Sequence, residues 1–313
     1  MTPETPQNIL NTSPSDSEGA PSESAPRTAF VALIGRTNIG KSSLVNRFVE
    51  AKVSIVTDRQ QTTRRNVLGV WTEGEVQIVF VDTPGLHRPQ DSEGKRMLRE
   101  SRIALEGIDL VLALVEPGDR LQGGTQHLID TLIRCESPKS VLVINKIDRV
   151  PPTSKSVRET AETLCAAYPF QKIFPISALH GDGTQLLFEC ILEVAQPGPW
   201  HFPPEEVSNV GQEEYAAEII REKAMQLTDQ EVPHHIQVRI DHLTRSEKGN
   251  WRIHATILVD TESRKGILIG SRGKKIKEIG IAARLELQEI LEAPVVLKTQ
   301  VRVEKNWRQR SGD

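Results

Sequence analysis

From Ala29 to about Gln196 the chain alternates short, wholly apolar runs with stretches of helical periodicity. The runs are 29-AFVALIG-35, 76-VQIVFVD-82, 109-DLVLALV-115, 141-VLVIN-145 and 173-IFPIS-177. They are apolar on consecutive rather than alternate positions, which suits strands covered on both faces by the helices between them. This predicts an α/β domain with a doubly wound, mostly parallel sheet and a ligand at the carboxyl ends of its strands. The pattern then breaks at 197-PGPWHFPPEEVSNVG-211, whose prolines and terminal glycines oppose regular structure. Beyond it a polar helix, 213-EEYAAEIIREKAMQL-227, precedes two stretches with strict alternation. In one, Ile236, Val238 and Ile240 alternate; in the other, Trp251, Ile253, Ala255, Ile257 and Val259 do. Such alternation predicts half-buried antiparallel strands. Helical segments follow, and 295-VVLKTQVRV-303 closes the order helix, strand, strand, helix, helix, strand. That order predicts a small α+β module. The expected division is a tail at 1–26, a first domain at 27–196, a linker at 197–212 and a second domain at 213–309.

A length of 313 residues allows each domain a core of its own. The formal net charge is only -3, so a nucleic-acid partner must be held by a local basic patch and not by the global field. Cys135, Cys165 and Cys190 are widely spaced, with no CxxC, and read as buried thiols in a reducing compartment. No run of apolar residues is long enough to span a bilayer. Residues 1–26 lack lysine and arginine and hold few apolar side chains. They read as a disordered tail, neither signal nor transit peptide.

The stretch 35-GRTNIGKS-42 fits GxxxxGK[ST] directly after a buried strand and at the start of a helix. Loop amides from Gly35, Arg36, Thr37, Asn38, Ile39, Gly40 and the flanking Ser43 can cradle phosphate oxygens. Lys41 can reach the β/γ-phosphates, and the Ser42 hydroxyl can ligate magnesium. Three further stretches end strands on the same rim. In 82-DTPG-85, Asp82 stands beside the metal, and Thr83, Pro84, Gly85 and Leu86 carry the chain past the γ-phosphate, with the Gly85 amide facing it. In 145-NKID-148, Asp148 accepts from guanine N1–H and the exocyclic amine, which adenine cannot offer. Asn145 supports the purine, Lys146 packs along the ring, and Ile147 completes the motif. In 177-SAL-179, the Ser177–Ala178–Leu179 turn brings the Ala178 amide to guanine O6. These residues predict a site for GTP or GDP with Mg2+. The polar stretch 60-QQTTRR-65 supplies a switch threonine for the metal, Thr63 or its neighbour Thr62. Leu86 stands where a water-orienting glutamine serves in Ras-like proteins. That predicts slow intrinsic hydrolysis, or a nucleotide that serves only as a structural clamp.

A second glycine-rich stretch, 269-IGSRGKKIKEIG-280, lacks the phosphate-loop spacing and follows a helix, not a buried strand. A GxxG turn, Gly270–Ser271–Arg272–Gly273, between two helices on a three-stranded antiparallel sheet is how a KH module clamps single-stranded RNA. Arg264, Lys265, Arg272, Lys274, Lys275 and Lys277 make a local basic patch against Glu262 and Glu278.

The series GRTNIGKS, QQTTRR, DTPGLH, NKID and SAL joined to IGSRGKKIKEIG resembles the Era family of bacterial ribosome-associated GTPases, from about Thr28 to Gln309. The resemblance implies a P-loop GTPase domain followed by a type II KH domain. It further implies a GTP-switched protein that binds the 3′ region of small-subunit ribosomal RNA and assists 30S assembly. Family members are cytoplasmic, with a peripheral fraction at the inner membrane, and the expected state is a monomer. Thr37 departs from the family's usual proline, and Ile39 and Ser43 are milder departures.

Overall fold

A computed structural model describes residues 25–55, 67–83, 107–134, 139–228 and 235–304. The described residues build two sheets. The first is seven-stranded: β1 (Arg27–Gly35), β2 (Val67–Glu73), β3 (Val76–Asp82), β4 (Leu110–Val115), β5 (Ser140–Ile144), β6 (Ile173–Pro175) and β7 (Gln196–Pro197). Its order is β2-β3-β1-β4-β5-β6, with β7 on β1. Pairs β3–β1, β1–β4, β4–β5 and β5–β6 are parallel; β2 and β7 run antiparallel to their neighbours. Helices α1 (Lys41–Val49), α2 (Gly123–Arg134), α3 (Ser156–Ala167) and α4 (Thr184–Glu193) cover its faces.

The continuous apolar runs have the predicted cause. On β1, Ala29, Val31 and Leu33 join the core beneath α1 and α4, while Ala32 and Ile34 join the opposite core beneath α2. Strand β4 divides likewise, with Leu110, Leu112 and Leu114 on one face and Val111 and Ala113 on the other. Both faces are dry, so neither tolerates a polar residue.

Periodicity missed β2, whose Gly69 interrupts the apolar pattern. A Cβ at Gly69 would approach Val45 Cγ1 to 2.6 Å, so the glycine admits α1 against the strand. The proline-rich stretch also behaves differently from expectation. It runs along the sheet edge, held by backbone partners that its prolines leave free. Gln77 is fully buried on β3; its Oε1 accepts from the amides of His201 and Phe202, and its Nε2 donates to Phe202 O. Val70 N donates to Val207 O, and Leu68 N donates to Asn209 Oδ1.

The second sheet has the order β10-β9-β8, built from β8 (Gln237–Arg245), β9 (Trp251–Val259) and β10 (Val295–Val303). Strands β8 and β9 are antiparallel, but β9 and β10 are parallel. The expected all-antiparallel sheet is therefore corrected. Helices α6 (Glu262–Ile269) and α7 (Lys274–Ile290) lie between β9 and β10 in sequence and allow the crossover that a parallel pair needs. With α5 (Gln212–Gln226) they bury the alternating Trp251, Ile253, Ala255, Ile257 and Val259.

The two cores meet through the segment after α1. Ile55 is buried in the second core, and Tyr215 Oη donates to Lys52 O at 2.5 Å. The Lys52 ammonium pairs with Glu222 and Glu286. Burial works against ionisation of Glu286, yet hydrogen bonds from Lys223 and Lys52 hold its carboxyl below the usual range.

Candidate functional site

The phosphate loop leaves β1 at Gly35, where a Cβ would come within 2.7 Å of Leu114 O. Two residues take left-handed backbone, Asn38 (φ 60) and Gly40 (φ 98). A Cβ on Gly40 would stand 2.3 Å from Asn145 Nδ2, so glycine is demanded twice there, by conformation and by space. Ile39 is buried beneath the loop, and its carbonyl accepts from Asn145 Nδ2 at 2.7 Å. Arg36, Thr37 and Ser43 are half-buried.

Lys41 opens α1 and is only 6% exposed. Its Nζ donates to Gly35 O and Arg36 O at 3.2 and 3.0 Å. Burial lowers its pKa from 10.5 to about 8, with Asp82 opposing the shift. Ser42 Oγ donates to Asp82 Oδ2 at 2.6 Å, so the two predicted metal ligands on described residues meet at one point. Asp82 and Thr83 are fully buried at the end of β3, and Thr83 Oγ1 donates to Leu33 O at 2.7 Å. An ammonium and a carboxylate withdrawn from water this far fit magnesium and phosphate, which would complete their charge balance. Thr63, Pro84, Gly85 and Leu86 lie outside the described residues, as does Cys135.

The base-recognition motifs meet on the same rim. Asn145 bonds the phosphate loop on one side and accepts from Ala178 N at 2.9 Å on the other. Asp148 Oδ1 accepts from Ser177 Oγ at 2.6 Å, a bond that holds the carboxyl below its ordinary range and keeps it ionised. The remainder of Asp148 faces solvent. Lys146 has left-handed backbone (φ 67); its Nζ donates to Asn38 O and pairs with Glu116, both at 2.5 Å. Its ammonium is therefore spent, which leaves the aliphatic stem to pack along a ring. Ile147 is half-buried, and its amide donates to Ile176 O at 3.2 Å.

Sequence reasoning missed the residues that brace this rim. Asp119 pairs with Arg36 at 2.8 Å and accepts from Glu116 N at 3.0 Å. Burial pushes the Asp119 carboxyl upward. Arg47, on α1, reaches the carbonyls of Ala178 and Leu179. The acid-rich turn after β4 hinted at Glu116 and Asp119; nothing in the spacing marked Arg47.

The second loop is built differently. Helix α6 ends at Gly270 (φ 69), and Ser271–Gly273 form one 3-10 turn with Arg272 left-handed (φ 52) before α7 starts. The two glycines serve different ends. A Cβ on Gly270 would lie 2.6 Å from Lys275 Cβ and 3.0 Å from Lys275 N, so this glycine lets the turn close on itself. A Cβ on Gly273 (φ 76) would meet nothing within 4 Å, so that glycine leaves open backbone at the start of α7. Among the described residues Arg272 and Lys277 are exposed and make no ion pair. Lys274 and Lys275 lie 4.0 and 3.5 Å from Glu278, and Lys265 lies 3.5 Å from Glu262. Arg264 is committed to Asp260, which His235 also contacts at 2.7 Å; that arginine holds the head of α6. Ser271 is exposed between the glycines.

Comparison with known proteins follows this division. A family model described as a 50S ribosome-binding GTPase matches residues 30–146, and a KH-domain model matches residues 231–308. The chain is 39% identical to the GTPase Era of Clostridium tetani (strain Massachusetts / E88) over 283 residues, 90% of this chain and 95% of that one. It is 39% identical to GTPase Era of Clostridium botulinum (strain Kyoto / Type A2), covering 90% and 94%. A crystal structure of Era with MgGDPNP and nucleotides 1506-1542 of 16S ribosomal RNA superposes with a TM-score of 0.85 at 36% identity, covering 91% of this chain and 96% of that one. A variant of Aquifex aeolicus Era bound to GDP.AlF4- superposes equally well, also with a TM-score of 0.85 at 36% identity.

Proposed function

The chain belongs to the Era family of GTPases, and from that premise we propose how its two glycine loops divide the work. The protein is a GTP-hydrolysing switch that binds 16S ribosomal RNA near its 3′ end and assists assembly of the 30S subunit. The description of the GTPase model speaks of the 50S subunit, but that model spans only residues 30–146. The likeness over 90% of the chain is to Era. One observation carries the assignment of the first site: Lys41, Ser42 with Asp82, Asn145, and Asp148 with Ser177 converge on one rim of the parallel sheet.

In this reading Lys41 and the amides of Gly35 to Ser43 hold the phosphates. Ser42, Asp82 and Thr63 hold magnesium, which when bound neutralises charge on the phosphate oxygens and orients the γ-phosphate. The Gly85 amide faces that phosphate. Leu86 offers no polar atom to orient water, so hydrolysis is slow until RNA or the ribosomal subunit engages. Asp148 reads the base. Gly273, Arg272, Lys274, Lys275 and Lys277 clamp the RNA backbone, with Lys265 at the margin. The protein acts as a monomer in the cytoplasm, with a peripheral membrane fraction; among the described residues no helix is long and apolar enough to cross a membrane.

The test is base exchange. Asp148→Asn should weaken GDP about a thousandfold and favour xanthosine diphosphate, whose C2 carbonyl meets the new amide donor. Wild-type protein that bound ADP as well as GDP would contradict the assignment.

A further inference from the structure

Arg47 sits on the helix that begins with the phosphate lysine, yet its guanidinium points at the base loop. Nε donates to Ala178 O at 2.8 Å, and Nη2 donates to Leu179 O at 2.7 Å. Gly181 gives the guanidinium room: a Cβ there would stand 2.8 Å from Nη1. Among the described residues Arg47 makes no ion pair, so these two carbonyls are what hold it.

Pinning a carbonyl also aims an amide. The described peptide bonds contain no cis bond, and in a trans peptide the C=O and the following N–H point in opposite directions. Holding Ala178 O on Arg47 therefore turns the Leu179 N–H away from α1. Holding Leu179 O turns away the His180 N–H, and that amide donates to Ser177 Oγ at 3.1 Å, as the rule requires. The other amides of the loop are also committed. Ala178 N donates to Asn145 Oδ1, and Gly181 N donates to Ser177 O at 2.7 Å. Among the described residues the Leu179 amide alone in this turn is left without an acceptor. It leaves a loop whose other contacts, Asn145 and Asp148, are the groups assigned to the base.

We propose that the Leu179 amide is the donor for guanine O6, in place of the Ala178 amide, and that Arg47 is the positioning residue that aims it. The inference rests on the guanine reading of Asp148 and adds a second determinant to it. Asp148 selects the N1 and C2 edge, and the Leu179 amide selects the C6 oxygen. Because α1 also carries Lys41, the same helix then sets both the phosphate grip and one base contact.

The test compares GDP with 6-thioguanosine diphosphate, which keeps N1–H and the amine but replaces O6 with a poor acceptor. Affinities for both, and for ADP, are measured in wild type, Arg47→Met and Arg47→Lys. Wild type should prefer GDP over the sulfur analogue about tenfold, the range of one buried hydrogen bond. Arg47→Met should cut that preference to about twofold, by weakening GDP and sparing the analogue, with Arg47→Lys between them. The ratio of two ligands on one variant does not depend on the folded fraction, so a destabilised variant remains informative. Equal weakening of both nucleotides by Arg47→Met would make the arginine only a strut. Equal wild-type affinity for both would remove the O6 contact altogether. ADP binding as tight as GDP binding would instead overturn the guanine reading beneath the proposal.

Discussion

The two glycine loops of this protein hold phosphate by opposite means. In the first, glycine makes room for protein: Gly35 for Leu114 O, and Gly40 for Asn145. The charge that meets the ligand, Lys41, is 6% exposed and already desolvated. In the second loop only Gly270 makes room for protein, while Gly273 faces open space and its cations lie in solvent. A buried site keeps its electrostatics from salt and fixes geometry, which suits one small ligand held tightly. An exposed site is screened and adaptable, which suits a long polyanion. The same residue type thus specifies a rigid pocket or an open platform, depending on what stands opposite its missing Cβ.

The largest expected effect breaks the first loop. Gly40→Val places a side chain on Asn145 at a left-handed residue, and GDP affinity should fall about a thousandfold or more. Binding of a 16S 3′-end RNA by the nucleotide-free variant, measured by filter retention, should stay within about twofold of wild type. Next comes Gly270→Ala, where the overlap with Lys275 and the positive φ should cost about 2–3 kcal/mol of stability, read by denaturant unfolding. Gly273→Asp should do the reverse: little loss of stability, because the position is open, but about tenfold weaker RNA binding with GDP affinity unchanged.

The smallest effect is a pH dependence confined to the first loop. The folded pKa of Lys41, about 8, lies below its ordinary 10.5. The free protein therefore carries an unfavourable buried charge below pH 8, and that cost disappears as pH rises through 8 toward 10.5. A bound phosphate restores the proton, so nucleotide binding should take up protons above pH 8 and GDP affinity should fall several-fold between pH 7 and 9. Calorimetry in buffers of different ionisation heat measures the uptake; none at pH 8.5 would contradict the burial of a charged Lys41.

How much of this the sequence disclosed depended on the range of the interactions. The parallel strands were legible because burial on both faces writes itself as consecutive apolar residues. The motif residues Lys41, Asp82, Asn145 and Asp148 were legible because each ends such a strand. Strand β2 was not, since its Gly69 is explained only by the helix packed across it. The proline-rich stretch read as a break because its partner, the buried Gln77, is remote in sequence and looks polar. Arg47 was invisible for the same reason: its acceptors are backbone carbonyls more than a hundred residues away, and carbonyls leave no trace in composition. The parallel register of β10 was hidden because alternation reports a half-buried strand without reporting its direction.

The contrast between the two loops is tested most directly by titrating salt against both ligands in one preparation. For the RNA, log Kobs should fall linearly with log salt, at about -0.7 per phosphate contact on a single strand, and Gly273→Asp should flatten that slope. For GDP, held by a buried lysine, the slope over the same range should be much shallower and unaffected by Gly273→Asp. RNA affinity indifferent to salt, or GDP and RNA affinities falling in parallel, would contradict the division of labour between the buried loop and the open one.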